Sequence, residues 1–158
     1  YRYADFEALR AVDAALSGLG RVEIQRVIIY NANFGNEPPG ACTAIAVSPT
    51  DTSTKGVGGV CNVYSEAQVR QENAGVGFGS PSVVDPSCSP GSWDSNWCPS
   101  SRNAPTPGQQ PDWVGVLIEL EYEPLTGALG AGQFTYSRTA VFQVEPCIDG
   151  LSLYDCPL

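Results

Sequence analysis

The chain has 158 residues and a net charge of −9 at pH 7, and it contains neither histidine nor methionine. A net negative charge repels phosphate backbones, so we expect no nucleic-acid partner. The absence of histidine excludes every catalytic triad, metal site and proton relay that needs an imidazole. Without methionine, Tyr1 is not expected to be the start of translation. A chain of this length fits one domain, which we assign to residues 1–158.

The cysteines predict an oxidising compartment outside the cytoplasm. There are six of them, they lie in stretches rich in glycine and proline, and none forms the CxxC pair of a zinc ribbon or a thioredoxin-type site. Six cysteines allow many pairings, and we favour the sequential ones because each closes a short loop. The predicted disulfides are Cys42–Cys61, Cys88–Cys98 and Cys147–Cys156.

Residues 1–17 are predicted to form an amphipathic helix, which the glycines that follow bring to an end. Asp5 is assigned to the polar side of this helix. Arg10 and Asp13 are spaced as i,i+3 ion-pair partners. The apolar stripe that should face the core consists of Phe6, Leu9, Val12 and Leu16.

The first three residues, Tyr1, Arg2 and Tyr3, combine aromatic rings with a cation, which is typical of a membrane-interface belt. The alternative is a pair of half-buried tyrosines at a frayed helix end. No stretch of the sequence approaches the ~20 apolar residues of a membrane span, and none has the pattern of a signal peptide. Any membrane anchor is therefore expected upstream of Tyr1.

Three longer segments are predicted as strands. Residues 21–30 are rich in β-branched side chains, and residues 113–123 alternate apolar and acidic ones. Residues 134–145 follow after a short connection and should pair with 113–123 in antiparallel fashion. In the first strand, the side chains expected to share one face are those of Val22, Ile24, Ile28 and Tyr30.

Shorter elements are predicted between these strands. A short strand fits at 43–47, a short helix begins at Ser65 and runs to Arg70, and residues 74–112 form a long loop with many glycines and prolines. The elements together predict an α+β fold. In it, a long N-terminal helix packs on an antiparallel sheet of three to four strands, and a disulfide staples the long loop rich in glycine and proline.

Trp93 and Trp97 lie inside the loop that the Cys88–Cys98 pair would staple. Indoles in such a loop commonly form a small core of their own. The alternative is a binding loop in which both rings stack on a glycan or contact a protein. The sequence leaves both interpretations open, and Trp93 and Trp97 are the candidate binding residues.

No segment predicts catalysis. Glu119, Glu121 and Glu123 are about 7 Å apart along a strand, with no acidic loop to complete a calcium cage, so a solvated strand face is expected. The glycine-rich stretch 127–132 follows a turn and lacks the Lys-Ser/Thr of a phosphate-binding loop. We therefore expect no enzyme activity, no metal, no cofactor and no small-molecule substrate.

Several segments together resemble the TadE-like family of the bacterial tight-adherence (Flp) pilus system, in an actinobacterial style. They are the helix ALRAVDAAL, the segments PPGAC and GVCNVY, the strand and turn DWVGVLIELEYEPLTGALG, and the closing strand TAVFQVEP. The resemblance covers most of the chain. Two parts lie outside the pattern, namely the tail 147–158 and much of the loop 75–111.

The resemblance implies a minor pilin or pseudopilin that supports pilus assembly or adhesion without catalysis. It implies that an apolar helix upstream of Tyr1 anchors the protein and continues into the first helix of an extracytoplasmic domain. Tyr1, Arg2 and Tyr3 would then lie just outside the membrane. The expected partners are other pilus or pseudopilin subunits. The alternative function is that of a secreted, disulfide-rich module that binds glycans or proteins.

Overall fold

The computed structural model describes residues 4–70, 88, 91–102, 110–122 and 134–143. Five strands form one antiparallel sheet in the order β2-β3-β1-β4-β5. In chain order, the elements are α1 (Ala4–Leu16), β1 (Val22–Asn31), α2 (Gly40–Thr43), β2 (Lys55–Val57), β3 (Cys61–Tyr64), α3 (Glu66–Arg70), a 3-10 turn (Pro99–Ser101), β4 (Trp113–Tyr122) and β5 (Phe134–Gln143).

The mixed α+β class is confirmed, but the prediction of a long first helix is wrong. Helix α1 has only 13 residues. It ends at Leu16, where the backbone amide of Leu19 turns back to the Leu16 carbonyl at 3.0 Å. The two glycines beyond Leu16 favour such a turn, so the predicted end of the helix agrees with the structure to within one residue.

The described sheet has five strands, whereas three to four were predicted. The difference is the hairpin of β2 and β3, whose strands are too short to give a periodic pattern in the sequence. β2 is three residues long, and its middle residue, Gly56, has a φ of +155°. A Cβ atom at Gly56 would lie 2.2 Å from the Cys61 carbonyl oxygen. This glycine therefore allows a close approach between two strands, whereas the sequence suggested only a chain break.

The predicted strand at 43–47 is also wrong. The chain forms α2 at Gly40–Thr43 instead, and residues 44–48 have no regular structure. Pro39 comes directly before this short helix and its carbonyl accepts from the Cys42 amide at 2.8 Å. A single helical turn of this kind gives no periodic signal in the sequence.

A β-bulge changes which side chains of β1 share a face. The register with β4 shifts between Ile24 and Arg26, and an extra residue at this point moves the side chains before it to the opposite face. Ile24 therefore joins Val27 and Ile29 in the core under α1, whereas Ile28 and Tyr30 lie in a second core on the other side. The predicted grouping of Ile24 with Ile28 is wrong for this reason.

Tyr30 and Gly115 are directly opposite each other on β1 and β4. The ring of Tyr30 fills the space that a side chain at position 115 would need, since a Cβ atom there would lie 2.1 Å from the ring carbon Cζ. The Tyr30 hydroxyl donates to the Asn36 carbonyl at 2.5 Å. The absence of a side chain at Gly115 therefore lets the Tyr30 ring lie over β4.

Two of the three predicted disulfides are confirmed. Cys42–Cys61 joins α2 to β3, and Cys88–Cys98 closes the loop that contains both buried tryptophans. Cys147 and Cys156 lie outside the described residues. The two observed disulfides support an oxidising compartment.

Candidate functional site

Trp93 and Trp97 lie in the core under α1, and each is only 4 % exposed. The Trp93 indole donates to the Thr52 carbonyl at 2.9 Å. The Trp97 amide donates to the side-chain oxygen of Asn62 at 2.8 Å. A binding loop would need these rings at the surface. Both rings are core side chains instead, but they belong to the core under α1 and not to a separate small core of the loop.

A buried ion pair holds this loop against the first turn of α1. Arg102 Nη1 lies 2.6 Å from Asp5 Oδ1, and both side chains are 1 % exposed. The Tyr64 hydroxyl donates to Asp5 Oδ2 at 2.6 Å, and Asn62 Nδ2 donates to the same oxygen at 2.8 Å. We call Asp5, Asn62, Tyr64 and Arg102, together with Trp97, the buried polar network.

Two members of the network, Arg102 and Asn62, contact Trp97. The guanidinium of Arg102 lies 4.0 Å from the centre of the Trp97 ring, and its Nη2 donates to the Trp97 carbonyl at 3.0 Å. Asn62 donates to the same carbonyl at 2.8 Å and accepts from the Trp97 amide. Buried charges need such partners, because an unpaired charge in the interior is strongly destabilising.

Burial also sets the protonation of the neighbouring groups. It raises the pKa of Tyr64 well above its usual value, and the Asp5 carboxylate raises it further. Tyr64 is therefore protonated and able to donate at any physiological pH. Burial likewise raises the pKa of Asp94, although the Ser92 hydroxyl donates to that carboxyl group at 2.7 Å and opposes the shift.

The sequence prediction placed Asp5 on the polar side of α1, and this is wrong. The buried positions of the helix are Asp5, Leu9, Val12 and Leu16, which follow one another at intervals of four, three and four residues. Asp5 therefore continues the apolar stripe by one turn. The sequence contained this signal, but Arg102, its partner in a distant loop, has no local pattern that would identify it.

The other acidic residues of α1 are also paired differently from the prediction. Asp13 lies 2.6 Å from Arg70 of α3, and Arg10 pairs with Glu7 at 3.6 Å. The predicted pair of Arg10 and Asp13 does not form. The Asp13–Arg70 contact ties the second half of α1 to α3, as the buried polar network ties its first turn to β3.

The row of glutamates on β4 does not form the solvated face that we predicted. Arg26 of β1 contacts both carboxylate oxygens of Glu119, at 2.6 and 3.1 Å, and also donates to the Thr43 carbonyl. Glu121 accepts from Gln25 at 2.8 Å. Glu123 lies outside the described residues. Among the described residues, no group of three or more acidic or cysteine side chains is placed to hold a metal ion.

At the β5 end of the sheet, three aromatic side chains are exposed among the described residues. Phe134, Tyr136 and Phe142 of β5 are 61 %, 47 % and 48 % exposed. A shallow apolar groove of about 190 Å³ runs between α1 and the outer strands, lined by Val12, Ala15, Leu16, Ile118, Leu120, Tyr136 and Arg138.

No family model, curated protein or solved structure matches the chain. Among the described residues, no helix is both long and apolar enough to cross a membrane. Tyr1, Arg2 and Tyr3, the predicted membrane-interface residues, lie outside the described residues.

Proposed function

We propose that the chain is the extracytoplasmic domain of a non-catalytic surface protein of the TadE-like kind, which supports assembly of a Tad/Flp pilus or adhesion as a minor pilin or pseudopilin. The observation that carries the proposal is the buried polar network, which fixes the first turn of α1 to the body of the domain. Asp5 contacts β3 through Asn62 and Tyr64 and contacts the stapled loop through Arg102.

This arrangement suits a domain that is held at its N-terminal end. In the proposed protein, a membrane-spanning helix precedes Tyr1 and continues into α1. A pull on that helix reaches Asp5 first. From there it passes to β3, which Cys61 bonds covalently to α2, and to the loop that Cys88–Cys98 closes. A helix attached only by apolar contacts has no directional bonds at this point, whereas charged hydrogen bonds fix both position and orientation.

The charge of the chain also agrees with this role. A net charge of −9 keeps separate domains soluble and apart, so contacts between subunits would form where local charge is low. Other pilus or pseudopilin subunits are the proposed partners. The disulfides suit the exposed location, since they stabilise a domain outside the cytoplasm.

The experiment is a gene deletion in the bacterium that encodes the chain, with pili counted by electron microscopy. We expect pili or adhesion to be lost and to return when the wild-type gene is supplied. The full-length product should stay in the membrane during extraction at alkaline pH. Normal pili and adhesion after deletion, or release of the full-length product by alkaline extraction, would contradict the proposal.

The glycan-binding alternative loses its support because Trp93 and Trp97 are core residues. Indole stacking on a sugar would require both rings to leave the core. We expect the tryptophan fluorescence of the protein to stay unchanged across a panel of soluble glycans. A saturable change with any of them would restore the alternative.

A further inference from the structure

The two edges of the sheet differ in length and in cover. The β2 edge has three residues, Lys55–Val57, and the stapled loop lies against it. Asn96 of that loop accepts from the Gly59 amide at 2.7 Å, and the Thr54 hydroxyl donates to the Gly91 carbonyl at 2.8 Å. Short strands under a covering loop are protected against pairing with other chains.

Among the described residues, none of these protections is present at the β5 edge. It is ten residues long and pairs with β4 over its whole length without a bulge. It contains no proline or glycine and a single charge, that of Arg138. Among the described residues, no strand pairs with its outer side. Long, regular and nearly uncharged edges are suited to accept a further strand.

We propose that β5 pairs in antiparallel fashion with β5 of a second copy of this chain, so that two sheets join into one. A two-fold axis perpendicular to the sheet brings like faces together. Even-numbered residues then oppose even-numbered ones, and the axis must pass through a residue. Two such axes, at Arg138 and at Thr139, keep most of the strand paired.

The axis at Thr139 is the favourable one. It places Tyr136 opposite Phe142 of the second copy, and Arg138 opposite Ala140 of the second copy. The axis at Arg138 would instead place the two guanidinium groups directly opposite each other, and like charges in that position are destabilising. Both axes form two aromatic cross-strand pairs, which stabilise antiparallel sheets, so the charge of Arg138 decides between them.

The charge distribution opposes a second copy less at this edge than the net charge of the chain suggests, because β5 has no acidic residue. Two chains of charge −9 repel, yet the only charge on β5 is positive. Among the described residues, the acidic side chains of the neighbouring strand β4 are Glu119 and Glu121, which contact Arg26 and Gln25. A strand edge buries less than the ~800 Å² per partner of a typical stable complex, so the dimer should depend on concentration. The pairing does not depend on the pilus proposal.

Charge variants at Ala140 test the proposal by sedimentation velocity over a range of protein concentrations. Ala140 is exposed, so each variant should fold. Ala140→Lys places a cation opposite Arg138 of the second copy and should weaken the dimer by about three- to thirtyfold, since the contact occurs twice. Ala140→Glu should strengthen it. The double variant Arg138→Glu/Ala140→Lys should restore dimerisation.

A cross-link tests the register independently. Thr139→Cys should form a disulfide-linked dimer under mild oxidation, because opposite residues bring their Cα atoms within about 5.5 Å. Ser137→Cys is the matched control. It lies on the same face but is displaced from its own copy by about 13 Å along the strand, so it should form no disulfide-linked dimer.

Any of four results would overturn the proposal. The first is a wild-type chain that stays monomeric at all concentrations, as expected if its own residues or a different protein cover the edge. The second is a dimer that is insensitive to Ala140→Lys. The third is equal cross-linking of Ser137→Cys and Thr139→Cys. A preference for Arg138→Cys over Thr139→Cys would likewise reject the proposed axis.

Discussion

The two ends of the sheet are stabilised by different kinds of contact. At the β2–β3 end, a disulfide, a covering loop and a buried ion pair surround strands of three and four residues. At the β4–β5 end, two strands of ten residues pair over their full length, and β5 is exposed on both faces. Short strands gain few ladder hydrogen bonds, so covalent and charged contacts hold them in place.

This difference shows where the domain is rigid and where it is free to associate. The buried polar network holds the first turn of α1 to the body of the domain, and the Cys42–Cys61 disulfide lies in the core on the other side of the sheet. Three exposed aromatic side chains lie on β5, the outermost of the described strands. The predictions below test this division, and they begin with the contact whose loss should cost most.

Replacing Arg102 by alanine should have the largest effect. It leaves the Asp5 carboxylate buried without its charge partner, which typically costs about 3–5 kcal/mol of unfolding free energy. Urea denaturation followed by tryptophan fluorescence measures the loss. Hydrogen exchange should show that α1 and β3 lose protection, while the pairing of β4 with β5 retains it.

Arg70→Ala is the matched control for this variant. Arg70 also contacts a carboxylate of α1, Asp13, but the pair lies at the surface, where such contacts contribute about 0–1 kcal/mol. Equal losses in the two arginine variants would show that the buried polar network is no more important than a surface pair. The proposed attachment of α1 would then lose its physical basis.

Removing the Cys42–Cys61 disulfide by a double replacement with serine should be the next largest effect. The bond closes a loop with a sequence separation of 19 residues, and loops of that size are worth about 3 kcal/mol in the chain-entropy model. Non-reducing urea denaturation checks the value. An unchanged midpoint would show that the β2–β3 hairpin does not need its covalent support.

Gly115→Ala should cost about 1–3 kcal/mol, because the new methyl group overlaps the Tyr30 ring and the packed core must shift. Gly115 lies on β4, directly opposite Tyr30 of the central strand β1. Gly35→Ala is the control, since a Cβ atom at Gly35 would meet nothing within 4 Å. Thermal unfolding compares the two variants. A Gly115→Ala protein as stable as the control would mean that Tyr30 does not occupy this space.

The sequence predicted those parts of the fold that have a local pattern. The end of α1, strands β1, β4 and β5, and both observed disulfides follow from periodicity and spacing. The β2–β3 hairpin has too few residues to show a period, and Gly56 resembles a break until its close contact with Cys61 is known. The bulge near Gln25 also leaves no sequence signal, although it reassigns Ile24 to the other core.

The buried polar network could be predicted only in part. The spacing of Asp5 from Leu9 and Val12 indicates burial. A carboxylate in the first turn of a helix is commonly solvated, however, and the helix dipole stabilises it there. Arg102 is the residue that allows Asp5 to be buried. It lies 97 positions after Asp5 in the chain and reaches it only because the stapled loop folds under α1. Contacts between such distant residues depend on the tertiary fold and have no local signature.

The smallest predicted effect concerns the pH dependence of Asp94. Burial raises its pKa above the unfolded value of 3.8, so the folded protein binds a proton more readily than the unfolded chain. Its carboxyl group therefore favours folding below that value, and this benefit is lost as the pH rises through the raised pKa. Asp94→Asn should be more stable than the wild type at pH 7, and the difference should vanish near pH 4.

Replacing Asp51 by asparagine should change the stability at pH 7 in the opposite direction. Hydrogen bonds from Lys55 and Ser53 lower the pKa of Asp51 to about 2, so its contribution is present above the unfolded value of 3.8 and is lost as the pH falls towards 2. The Asp51→Asn protein should be less stable than the wild type at pH 7. Urea midpoints at pH 7 and pH 4 separate the two cases. If both variants shift in the same direction at pH 7, burial is not what distinguishes these carboxylates.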